Sequence, residues 1–158
     1  MSDRDRDEDG RARNSRARDE LGRPLPRGVE GVPRIPDDLE LTPQETLDFA
    51  QRLLDDGLAF NAHEVLEAAW KNGPESERDV WQGLAQAAVG VTHLQRGNLK
   101  GAMTLFQRAH DRLGKHVDPM HGIDLPGIVR YLAESITALN GQSAQQDHIV
   151  RRFSLRRP

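Results

Sequence analysis

At 158 residues, with 36% apolar and 30% charged side chains, the chain has the length of one domain and material for one core. A formal charge of −3 argues against a nucleic-acid binder, and the lack of cysteine excludes a disulfide scaffold, a thiolate zinc site and a cysteine nucleophile while fitting a reducing cytoplasm. No apolar run approaches the ~18 residues of a spanning helix, and the opening Met1-Ser2-Asp3-Arg4-Asp5 lacks a signal peptide's apolar segment, so a cytoplasmic protein with no membrane partner is expected.

Residues 1–40 alternate charge signs. Acidic residues from Asp3 to Asp9 give way to a cluster at Arg11, Arg13, Arg16 and Arg18, and then to Pro24, Pro26, Pro33 and Pro36 with interleaved glycines. Such a stretch buries too little apolar surface to offset the entropy of ordering it, so a disordered Arg/Pro/Gly-rich arm is expected. The alternative is an arm that docks on the domain through Arg23, Leu25, Pro26 and Val32.

Residues 41–141 read as an all-α domain of about five helices in a compact antiparallel array. The string Thr42-Pro43-Gln44-Glu45 is a capping box with proline at the first helical position, and Leu47, Ala50, Leu53 and Leu54 follow at helical spacing up to Gly57. A second helix runs from Ala59 or Asn61 to Lys71 and is closed by Gly73-Pro74. A third opens at Ser76, with Asp79 three residues on, and stops at Arg96 before Gly97. Asn98 caps a fourth, with Leu99, Ala102, Phe106, Ala109 and Leu113 on one face until Gly114; Asp124 opens a fifth that ends at Asn140-Gly141. Gly83, Ala87, Ala88 and Gly90 strip bulk from the third helix, which places it at the centre. No run alternates strictly enough to mark a strand. Residues 142–158, with Arg151, Arg152, Arg156 and Arg157, are expected to form a basic, flexible tail.

The second helix carries the chain's sharpest chemical pattern. His63, Glu67 and Trp70 fall at i, i+4 and i+7, stacking an imidazole, a carboxylate and an indole on one stripe. A histidine and a carboxylate one turn apart can share a divalent ion or bond to each other. The string His63-Glu64-x-x-Glu67 is no zinc-peptidase motif, because Glu67 stands where the second histidine is needed. On the third helix Gln82, Gln86 and His93 line up at i, i+4 and i+11, and consecutive helices are usually neighbours. His63, Glu67 and His93 are therefore the candidate metal ligands, with Glu64, Trp70, Gln82 and Gln86 as ligand-binding or orienting residues. Against this stands a purely structural reading, in which histidines and glutamines satisfy one another and fix helix register. Trp70 and Trp81 read as core anchors, with Glu67 a candidate acceptor for an indole N–H. His110, His116, His121 and His148 read as surface residues. There is no nucleophile elbow, phosphate-binding glycine loop or dinucleotide fingerprint.

The segment Phe60 to Trp70, then Trp81-Gln82-Gly83-Leu84-Ala85-Gln86, His93, and Gln95-Arg96-Gly97-Asn98 with Gly101-Ala102, resembles the bacterial and archaeal family catalogued as domain of unknown function 309. The family's signature of histidine, glutamate four on and tryptophan three further corresponds to His63, Glu67 and Trp70. The resemblance covers about residues 43–115 and is greatest to the actinobacterial branch. It implies an all-helical fold and, as suggested for the family, metal binding through the histidine–glutamate motif. No activity comes with it. The functional expectation is a polar groove binding one divalent metal ion or a small polar ligand. The alternative is a non-catalytic protein-interaction module with an exposed apolar groove, for which homo-oligomerisation is plausible.

Overall fold

The computed structural model describes residues 5–6, 12–13, 18–23, 35–36, 38–116, 118–141 and 153–156. Helix α1 (Pro43–Asp55) starts on the capping box that the sequence predicts: Thr42 Oγ1 accepts from the Glu45 amide at 3.1 Å, and Glu45 Oε1 accepts from the Thr42 amide at 3.0 Å. It stops at Gly57, whose φ of +78° lets Leu58 donate back to the Leu53 carbonyl. Helix α2 (Ala59–Asn72) follows at once, without a side-chain cap.

The start of α3 (Arg78–Gln95) departs from expectation. Ser76 does not cap it; Glu75–Glu77 forms a 3₁₀ turn after Pro74 instead. The Asp79 carboxylate, predicted to support the cap, reaches across to the far end of the next helix. Asn98 and Asp124 behave as predicted. Asn98 Oδ1 accepts from the Gly101 amide to open α4 (Leu99–Leu113), and Asp124 Oδ1 accepts from that of Gly127 to open α5 (Leu125–Asn140).

The five helices pack in sequence order, and α3 has the closest neighbours on both sides, α2 and α4. Small residues explain this approach. A Cβ on Gly83 would lie 2.6 Å from the Leu113 side chain, and one on Gly90 would lie 2.6 Å from the Phe106 ring. Leu47, Leu66, Trp81, Leu84, Phe106 and Leu132 fill the core around that axis. Outside the helices, Asp5–Arg6 (β1) and Ala12–Arg13 (β2) pair antiparallel over two residues each, too briefly for an alternating pattern to show.

Two segments flanking the helices lie against them. In the arm, Asp19 Oδ1 accepts from the Leu21 and Arg23 amides and folds residues 18–23 into a turn. Arg18 lies 5.0 Å over the Phe60 ring, and Arg96 donates to the Leu21 carbonyl at 2.7 Å. Leu25, Pro26 and Val32, also expected to take part in docking, lie outside the described residues. Within the stretch expected to form a flexible tail, residues 153–156 are held firmly. Phe153 stacks on Tyr131 at 5.1 Å, and Leu155 is fully buried. Gln51 clasps this segment by donating to the Phe153 carbonyl and accepting from the Leu155 amide, while Arg156 pairs with Asp48. Two apolar side chains with satisfied backbone groups outweigh the arginine-rich composition around them.

Candidate polar face on the second and third helices

The α2 stripe forms as its spacing predicts. Phe60 leaves its carbonyl beside the His63 ring, and Nδ1 of His63 lies 2.9 Å from that oxygen. Nε2 of the same ring lies 2.9 Å from Glu67 Oε2, one turn on, and Lys71 Nζ reaches Glu67 Oε1 at 2.8 Å one turn further. With an acceptor on each nitrogen, the ring satisfies both only in its doubly protonated form. The His63 hydrogen bond holds the Glu67 carboxyl far below its ordinary value, at about 2; burial opposes the shift and Lys71 reinforces it. The row stays open to solvent, with the His63 and Glu67 side chains 19% and 33% exposed.

Trp70 continues the stripe, half-buried, with the Arg78 guanidinium 4.9 Å from its ring centroid and the Lys71 ammonium at 5.9 Å. Glu64 lies on a neighbouring face at 3.5 Å from Asn61 Nδ2. Trp81, by contrast, is buried, and its indole N–H donates to Glu77 at 3.2 Å. Glu67, the candidate acceptor, is already engaged by His63 and Lys71.

On α3, Gln82, Gln86 and His93 do form one half-buried row. The partners of Gln86 and His93 lie at the two ends of α4 rather than on α2. Gln86 Oε1 accepts from Arg112 at 3.1 Å, and His93 Nδ1 lies 3.2 Å from Asn98 Nδ2 at the start of α4. Burial, with the nearby Arg96 charge, pushes the His93 imidazole below its ordinary value and favours its neutral form. Among the described residues no group of three or more His, Asp or Glu side chains is placed to hold a metal ion. The three-donor set of His63, Glu67 and His93 is therefore not assembled. The reason is positional: His93 sits in the last turn of α3, where the cap of α4 engages its ring. Of the three, only His63 and Glu67 are brought together, with Lys71 on the other Glu67 oxygen.

Two histidines expected to be surface residues have structural partners instead. His116 Nε2 lies 2.5 Å from Asp79 Oδ2, and the other Asp79 oxygen pairs with Arg112. His121 Nε2 lies 2.8 Å from Glu77 Oε1, with its ring stacked on Trp81. Burial disfavours the Asp79 charge, but the His116 and Arg112 hydrogen bonds outweigh it and lower its pKa. His110 pairs with its neighbour Asp111 at the surface, and His148 lies outside the described residues. No local motif announces the His116 and His121 pairs, because their partners are 37 and 44 positions away.

Residues 47–105 match the family model described as Domain of unknown function (DUF309). The match spans most of α1, all of α2 and α3 and the first part of α4, so it includes the whole His63–Glu67–Trp70 stripe and the α3 row. Neither a curated protein nor a solved structure matches the chain.

Proposed function

We propose that this chain, which matches the DUF309 family model through residues 47–105, is a binding domain whose working face is the His63–Glu67 row of α2, taking a small polar ligand. The observation that carries this reading is the position of Glu67, held between His63 and Lys71 at 2.9 and 2.8 Å on a face still open to solvent. Fixed donors and acceptors of this kind give a polar ligand its orientation at low entropic cost. The competing interaction module calls for an exposed apolar groove. Among the described residues, Leu99 is the one large apolar side chain that is exposed, at 40%.

A divalent ion is the second reading the same pair supports. An Nδ1 proton given to a backbone carbonyl is the outer-shell arrangement that ligating imidazoles commonly use, and it leaves Nε2 beside the carboxylate. Two protein donors make this a weak site, and no reaction is assigned to it.

The test is an NMR screen of ¹⁵N-labelled protein against small polar compounds: amino acids, sugars, nucleosides, inorganic phosphate, and zinc or manganese ions. A hit whose shifts centre on residues 60–71 and disappear in Glu67→Gln supports the proposal. Hits that map elsewhere, or that survive Glu67→Gln, overturn it.

A further inference from the structure

Residues 153–156 are held against the helices in the manner of a bound peptide. An extended segment usually finds its hydrogen bonds on a neighbouring strand. Here a side chain stands in for that strand. The Gln51 carboxamide donates to the Phe153 carbonyl at 3.1 Å and accepts from the Leu155 amide at 2.8 Å, so one amide group satisfies two main-chain groups of the segment. Asp55, one turn further along α1, accepts from the same Gln51 nitrogen at 2.9 Å and fixes the way the carboxamide faces. On the other side the Leu155 carbonyl accepts from the Asp124 amide at 2.9 Å, within an antiparallel bridge between Ile123 and Arg156.

Main-chain bonds of this kind hold any sequence, and the alternate side chains select one. Phe153 is buried and stacked on Tyr131 of α5, and Leu155 is fully buried, while Ser154 between them is exposed. Arg156 reaches Asp48 and Gln44, both on α1. The seat thus reads phenylalanine, any residue, leucine and arginine in an extended chain. None of the groups that form it belongs to the His63–Glu67 row of α2, so this is a different place on the molecule. The stretch 142–152 joins the segment to α5. At roughly 3.3–3.6 Å per extended residue it reaches up to ~36 Å, well beyond the ~13 Å radius of gyration of a domain of about 100 residues. The seat of an adjacent copy is therefore within its reach, as its own is.

We propose that this seat is an interaction surface for a second copy of the chain, two molecules trading residues 153–156 so that each segment lies in the other's seat. Segment and seat are present on every copy, so the exchange is reciprocal and closes on a dimer. Every contact named above is kept, and only the path of 142–152 differs. The chain's own segment, tethered at an effective concentration on the order of 1 mM, fills the seat in dilute solution, and the exchanged dimer builds up as the protein approaches that concentration.

The experiment mixes two variants of the whole chain. Leu155→Ala has an intact seat and a spoiled segment, and Gln51→Ala has an intact segment and a weakened seat. In the mixture the good segment of one meets the good seat of the other, freed of its own occupant. Light scattering is expected to show a heterodimer at concentrations where each variant alone is monomeric. A synthetic peptide of residues 150–158 added to ¹⁵N-labelled Leu155→Ala is expected to give saturable shifts at residues 44–55 and 123–131. The parent, its seat filled, takes the peptide about tenfold or more weakly. Peptides carrying Phe153→Ala or Leu155→Ala do not bind. Arg156→Ala, which keeps both apolar anchors, serves in place of Leu155→Ala should that chain not fold, and takes the peptide severalfold more readily than the parent. A mixture that stays monomeric, a loosened chain that ignores the peptide, or an alanine-substituted peptide that binds as well as the unaltered one would each overturn the proposal. The shift map separates this site from the α2 face, whose signals lie at residues 60–71.

Discussion

Nε2 of His63 and Oε2 of Glu67 lie 2.9 Å apart, one helical turn from each other, and the opposite nitrogen of the imidazole is tied to the Phe60 carbonyl. That pairing sets the sign of a pH effect. The folded-state carboxyl of Glu67 sits at about 2, below its ordinary value of 4.5. The stabilisation is therefore complete above the ordinary value and is lost as pH falls through the folded value. Glu67→Gln is expected to destabilise the domain by about 1 kcal/mol at neutral pH, a modest figure because solvent screens a partly exposed pair. The gap between variant and parent should close progressively below pH ~4.5. Urea unfolding at a series of pH values measures it; a gap that stays constant down to acid pH contradicts the assignment.

Gly90 leaves room for the Phe106 ring, which is fully buried and has nowhere to move. Gly90→Ala gains up to about 1 kcal/mol in helix propensity but forces an overlap costing about 1–3 kcal/mol. The overlap is expected to win, giving net destabilisation and a lower thermal midpoint. A Gly90→Ala protein as stable as the parent would mean that α3 and α4 are not so closely apposed.

Leu155, although it lies in an arginine-rich segment, is fully buried. Leu155→Ala is expected to cost about 2–5 kcal/mol, as for other buried leucines, whereas a trailing tail would show no change. Denaturant midpoints distinguish the two outcomes, and protease sensitivity beyond residue 141 should rise with the loss.

Asp79 joins the beginning of α3 to the end of α4 through Arg112 and His116. Asp79→Asn removes the charge while keeping the shape, and leaves Arg112 and His116 short of their carboxylate partner. The expected loss is about 0.5–1 kcal/mol at neutral pH, because solvent screens a carboxylate that is 41% exposed. A double-mutant cycle with His116→Ala should recover part of it as coupling; strict additivity would show that the two residues do not interact.

The helical architecture was legible because its signals are local. Thr42, Asn98 and Asp124 each form the cap they predict, and the apolar rows of α1 and, beyond the exposed Leu99, of α4 point inward. The His63–Glu67 contact was legible for the same reason, since four residues on a helix is contact distance. Reading His93 into the same site failed because helix pairing alone does not say which neighbour a half-buried row will meet. Gln86 and His93 turn to α4, where Arg112 and Asn98 wait for them. His116 and His121 were read as surface residues because loop sequence carries no period from which burial can be inferred. The same limit hid Phe153 and Leu155, whose two-residue spacing is too short to stand out from the arginines around it.

The clasp at Gln51 also has a bearing on how the chain is made. Its partners, Phe153 and Leu155, lie 102 and 104 positions further along, so a ribosome releases α1 long before it produces the residues that Gln51 will grip. Until then the outer side of the first helix waits unclad, and residues made far later are the ones that fasten it.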